Sequence, residues 1–108
     1  AFPSVRSFDN RHSKEVRQHF VPLFEKHHLK AAFEHHEHAY KRTKPINGVT
    51  YLGDGCWGVK NKRHPQANDS FAHTASTHHV FLLTIDNTRC TVEALAPDGT
   101  IFDSVTLD

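Results

Sequence analysis

The 108-residue chain contains no methionine, one tryptophan and two cysteines. The lack of Met extends to position 1, so the chain is expected to begin after a processing or cleavage event. No apolar run approaches the roughly 18 to 20 residues a membrane-crossing helix needs, and no basic-then-apolar stretch opens the sequence as a secretory signal would. Net charge is also nearly absent. Thirteen Lys+Arg against 12 Asp+Glu leave +1 with His neutral, which excludes a strongly basic nucleic-acid binder and an acidic tail. Internal repeats and low-complexity tracts are missing too. What remains reads as one soluble domain over residues 1–108, with neither nucleic acid nor membrane as a partner.

Histidine is what the sequence has in excess, 11 of 108 residues. Acidification through the histidine range near pH 6.5 would carry the formal charge from +1 towards 1 + 11 = +12. Histidine at this density binds metal, senses pH or decorates a surface. Hydrophobic residues make up 37% and charged residues 23%, a lean core for a domain that buries about 65% of its unfolded surface. Cys56 and Cys90 are even in number and are expected to form one disulfide. Asn68-Asp69-Ser70 is an N-glycosylation acceptor triplet. Together they point to a secreted or extracytoplasmic glycoprotein.

Residues 1–12 show no period and read as an irregular entry. Ser13 is a plausible N-cap, and Val16, Phe20, Leu23 and Phe24 then form one face of a helix. Pro22 either kinks that helix or stands in the first turn of a second one. Residues 30–34 and 48–52 read as short strands. Residues 41–47 read as a polar loop ending in the turn Asn47-Gly48, and residues 53–76 as one long loop. The last third is a three-stranded antiparallel meander over 80–85, 90–95 and 100–107, with turns at Asp86-Asn87 and Pro97-Asp98-Gly99.

The sharpest local feature is His35-His36-Glu37-His38 at the end of the first expected strand. Residues i and i+2 of a strand share a face roughly 6.5 to 7 Å apart, so His36 and His38 could present two imidazoles to one metal or to two adjacent ones. Roughly one His-x-His pair is expected by chance at this composition. Gly53, Gly55 and Gly58 match a dinucleotide fingerprint in spacing, but no helical period follows to hold a pyrophosphate, so they read as a tight backbone turn. Lys41, Arg42 and Lys44, with Lys60, Lys62 and Arg63, form two basic clusters that could attract a phosphate or simply face solvent. Nothing resembles a nucleophile elbow.

The run Phe33-Glu34-His35-His36-Glu37-His38-Ala39-Tyr40-Lys41-Arg42-Thr43, followed by Gly48-Val49-Thr50-Tyr51-Leu52-Gly53-Asp54-Gly55, resembles the C-terminal part of calcineurin-like metallophosphoesterases similar to purple acid phosphatases. Their last metal motif is Gly-His-x-His, commonly followed by Ala-Tyr-x-Arg. The resemblance covers most of the chain and implies an α+β fold, the C-terminal portion of a four-layer α/β/β/α sandwich, with an N-terminal helix and then mainly antiparallel strands. It implies that His36 ligates one metal of a dinuclear centre and His38 the other, the pair being two divalent or Fe/Zn-type ions, with Glu37 turned away. Tyr40 and Arg42 would support the site or touch a phosphoester substrate. His35 stands where Gly is usual, and would contact the phosphoryl group or replace a lost ligand.

The segments Asp-x-His, Gly-Asp-x-x-Tyr and Gly-Asn-His, which supply the bridging carboxylate and most other ligands in that family, are absent from these 108 residues. A two-metal hydrolase cannot run on two histidines. The resemblance therefore implies a C-terminal fragment of a phosphoric monoester hydrolase, inactive alone and holding at most a partial metal site. An upstream catalytic chain or self-association would complete it. The alternative is a non-enzymatic, histidine-rich structural or self-assembling protein.

Overall fold

In the computed structural model, which describes residues 1–108, two short helices lie on one face of a four-stranded sheet and a three-stranded sheet covers the other face. The chain is α+β. Helix α1 spans Arg11–His19, and its cap lies three residues before the expected Ser13. Asn10 is the cap instead, its Oδ1 accepting the Ser13 amide at 3.1 Å while its Nδ2 donates to Ser13 Oγ at 2.8 Å. A short side chain one turn upstream reaches the orphan third amide, which Ser13 cannot do for itself. Helix α2 spans Val21–Lys26 with Pro22 in its first turn. The proline therefore opens a second helix, where its missing N–H leaves nothing unpaired.

The first sheet contains β1 (Ala31–Glu34), β2 (Tyr40–Thr43), β3 (Thr50–Gly53) and β4 (Phe71–Ala75) in the order β1-β3-β2-β4. β1 and β3 run parallel, Phe33 beside Leu52, while β2 is antiparallel to both β3 and β4. Asn47 and Gly48, with φ of 47° and 86°, turn the chain between β2 and β3 as expected. Two expected loops are corrected here, since β2 lies largely in the 41–47 stretch and β4 in the 53–76 stretch. Neither strand shows apolar alternation. Lys41 is nevertheless buried because its ammonium donates to Phe2 O and the Glu34 carboxylate.

The second sheet is the expected meander, β5 (Val80–Asp86), β6 (Arg89–Leu95) and β7 (Ile101–Leu107), antiparallel and in that order. β3 shows how the layers join. Tyr51 faces the helices with Val21 and Val49, and its ring meets Phe2 edge-on at 4.6 Å. Leu52 faces the other way, onto Val92 and Leu107 of the second sheet. Only 17 of 108 residues are buried, and the accessible surface is 6761 Å², against about 6,100 Å² from size scaling for this mass. The layers leave more surface open than a closed domain of this size.

Candidate functional site

The histidine cluster lies outside any strand. β1 ends at Glu34, and residues 35–39 form a bent loop that leads into β2. Two contacts shape it. The Glu37 carboxylate accepts from Ser4 N at 2.6 Å, Ser4 Oγ at 2.7 Å, Arg6 N at 2.9 Å and Val5 N at 3.0 Å. Successive amides thus form a nest around the anion. On the other side, Gly55 lies so close that a Cβ there would sit 2.3 Å from Glu37 O and 2.4 Å from His35 O. This close backbone approach explains Gly55, whereas Gly58 is set by its positive φ of 68°.

Glu37 is turned inward, onto the Ser4–Arg6 amides. Burial pushes its carboxyl up, but the hydrogen bonds from Ser4, Arg6 and Val5 outweigh that and hold it below the usual glutamate range. His35 Nδ1 pairs with the Asp54 carboxylate while its ring stays largely exposed. The His38 carbonyl accepts from Arg63 N at 2.8 Å and from the Cys56 thiol at 3.5 Å.

A cleft of about 480 Å³ opens between α1 and the carboxyl end of β1, its walls including His12, Val16, Phe33, His35 and His36, with Lys41 also lining it. A smaller pocket of about 90 Å³ collects Arg6, His36, His38 and Arg63 around Glu37. His36 and His38 are both exposed in the loop. They lie outside any strand and so do not share the strand face expected to aim both imidazoles at metal. Nowhere in the chain do three His, Cys, Asp or Glu side chains converge as a metal-binding group. A dinuclear centre needs ligands that hold two ions about 3.5 to 4 Å apart, and the residues present do not fit one.

Tyr40 and Arg42 point to the opposite layer, where both engage Asp103 of β7. Arg42 Nε donates to Oδ2 at 2.7 Å and Arg42 NH2 to Oδ1 at 2.9 Å. The Tyr40 hydroxyl donates to Oδ2 as well, and His73 Nδ1 lies 3.4 Å from Oδ1. Burial pushes the Asp103 carboxyl up, but the bonds from Arg42 and Tyr40 prevail and bring it down to about 2. The same contacts raise the Arg42 guanidinium, and burial first, then Asp103, raises the Tyr40 hydroxyl. Sequence reading passed over Asp103. Its signal was a carboxylate standing on the same face of β7 as Val105 and Leu107.

Next to this cluster His79 is fully buried, stacked edge-on against Tyr40 and Phe102 at 5.1 and 5.6 Å. Its Nδ1 meets Thr77 O at 2.7 Å, so Nδ1 carries the proton, and Nε2 has no partner. The expected disulfide is corrected, because Cys56 and Cys90 are both free. Cys56 follows β3 beside the histidine loop, whereas Cys90 opens β6 and packs against Leu52, Val92 and Leu107. Asn68 is exposed just before β4, its side chain accepting Ser70 N at 2.8 Å. Of the basic clusters, Lys44, Lys60, Lys62 and Arg63 face solvent, while Lys41 is buried and Arg42 half-buried.

No family model matches the sequence, and no curated protein matches it. The fold is similar to a solved structure of GAP50, described as the anchor in the inner membrane complex of Plasmodium, with a TM-score of 0.80 at 11% identity. The alignment covers 99% of this chain and 33% of that one, so the chain spans about a third of GAP50's length. At that identity the likeness concerns the fold alone. The resemblance to calcineurin-like metallophosphoesterases is thereby corrected: no family model matches the sequence, and GAP50, a solved structure with a similar fold, is described as an anchor. The run lies in a loop between β1 and β2 where no three metal-binding side chains converge, so its letters carry no metal centre by themselves.

Proposed function

We propose that the chain is a non-enzymatic structural module that works by assembling with further polypeptide. The observation that carries this reading is the open side of the sandwich. β1 is an edge strand of the first sheet and β5 an edge strand of the second. Both edges lie on the same side, joined by the Phe33–Phe81 ring contact at 5.5 Å. Apolar side chains on β5 remain exposed there, Ile85 at 72%. Exposed edges flanked by apolar residues pair with other chains unless something covers them.

The description of GAP50 as an anchor supports an anchoring or assembly role, and this chain's span of a third of that protein fits a unit that is one part of a larger body. On this reading the chain supplies three layers, helices and two sheets, of a four-layer α/β/β/α sandwich. Additional polypeptide would add the fourth. Asn68, exposed ahead of β4, would then be free to carry a glycan in an extracytoplasmic setting.

The test is an aryl-phosphate assay over about pH 5 to 8, the histidine titration range, with Zn²⁺, Fe³⁺ or Mn²⁺ added. No turnover is expected. Activity that survives repurification and disappears in His36→Ala would overturn the reading.

A further inference from the structure

We infer that β5 is a homodimer seam, at which two copies of this chain pair their β5 strands antiparallel about a two-fold axis centred on Leu83. The inference rests on the assembly reading above and names its partner. β5 is seven residues long and hydrogen-bonds only to β6, so its other edge is free along its whole length. Its only ionisable side chain is Asp86 at one end, and it carries no proline or lysine of the kind that blunts an edge.

The register follows from the hairpin. Asp86 and Arg89 face each other across the two-residue turn Asn87-Thr88, and in such hairpins the flanking pair is the hydrogen-bonded one. Alternation then directs the N–H and C=O of Phe81, Leu83 and Ile85 to the free edge. Leu83 is the midpoint of Val80–Asp86. A two-fold there places Leu83 opposite its own copy and Phe81 opposite the copy's Ile85, and these are the residues whose backbone groups are free to bond. Asp86 meets Val80 of the other copy, so no like charges face each other.

Side-chain exposure agrees. Phe81, Leu83 and Ile85 share the face that looks toward the first sheet, where Phe81 meets Phe33 and Tyr40 at 5.5 and 5.9 Å. Farther along the strand that cover ends, leaving Leu83 43% and Ile85 72% exposed, while Leu82 on the other face is 49% exposed. The paired strand would shield both faces at once, since side chains directly opposite across antiparallel strands stand about 4.5 to 5.5 Å apart.

Analytical ultracentrifugation of the 108-residue chain from about 1 to 200 µM brackets the affinity of a modest interface. A dimer is expected, with Leu83→Lys and Ile85→Lys each weakening it at least about tenfold. Both positions are open to solvent in one copy, so circular dichroism should report an unchanged fold. In a Cys90→Ser background, mild oxidation of Leu83→Cys should cross-link two copies, and the comparably exposed Ile101→Cys on the far strand β7 should not. A wild type that stays monomeric, or a dimer that both lysine variants leave intact, overturns the seam. The non-enzymatic reading survives either result. Phosphatase turnover would end that reading and leave the dimer standing.

Discussion

Arg42 on β2 clasps Asp103 on β7 through two parallel hydrogen bonds of 2.7 and 2.9 Å, so a guanidinium of the first sheet neutralises a carboxylate of the second. Tyr40 completes the set from the same strand as Arg42. Removing one partner leaves the other charge in a half-dry seam without compensation. Asp103→Ala is therefore expected to lower unfolding stability by about 3 kcal/mol, read from denaturant midpoints, with Asp103→Asn losing less because it keeps one acceptor.

Asp103 also fixes a pH dependence. Its folded carboxyl lies near 2, depressed below the ordinary value of 3.8. A depressed carboxylate contributes stability that is fully present above its unfolded pKa and is lost as pH falls through the folded one. The wild type should lose this contribution between about pH 4 and pH 2, the window bounded by those two values. In Asp103→Asn that part of the acid-unfolding slope should vanish; an identical slope in both proteins would show that the clasp contributes nothing.

Glu37 pins the segment Ser4–Arg6 with four hydrogen bonds. In Glu37→Ala those amides lose their acceptor, and hydrogen exchange at residues 4–6 should accelerate sharply while the meander stays protected. The global cost is expected at about 1 to 3 kcal/mol, that of stranding partly buried donors. Unchanged exchange at Val5 and Arg6 would mean that the nest does not form in solution.

Gly55 and Gly58 separate two reasons for glycine. A Cβ at Gly55 would collide with the carbonyls of His35 and Glu37, whereas at Gly58 it meets nothing within 4 Å and only the φ of 68° resists it. Gly58→Ala should cost about 1 kcal/mol. Gly55→Ala should cost several-fold more and shift the His35, His36 and His38 imidazole resonances. Equal costs would remove the loop contact from the account.

Cys56 is buried, and burial pushes its thiol above the usual range, with Lys62 opposing. A thiol reagent should find two free thiols in the denatured, unreduced protein. In the native state it should label Cys90 first and Cys56 only on unfolding. A count of zero under denaturing conditions would restore the disulfide.

The meander was legible because its signals are local. Alternating β-rich runs and Pro-Asp-Gly decide their own conformation, and so does Asn47-Gly48; the first meander turn falls on Asn87-Thr88, one residue beyond the expected Asp86-Asn87, and the sequence left open whether Pro22 kinks one helix or opens a second. Composition alone set the histidine excess and the near-zero charge. β2 and β4 were not legible. Tyr-Lys-Arg-Thr is a poor strand by pattern, and it becomes one only because Glu34, Phe2 O and Asp103 arrive from elsewhere to satisfy Lys41 and Arg42.

The histidine cluster shows the same division. The sequence determined that three histidines stand within four residues; tertiary structure decided that β1 stops before them, that Glu37 turns in to the Ser4–Arg6 amides, and that Gly55 presses the loop from behind. Spacing along a chain gives a face only when the backbone conformation is known. Here that conformation is imposed by contacts more than 15 residues away, between Glu37 and Ser4 with a separation of 33 and between His35 and Asp54 with a separation of 19. No local propensity encodes these contacts, because they form only when the layers have packed.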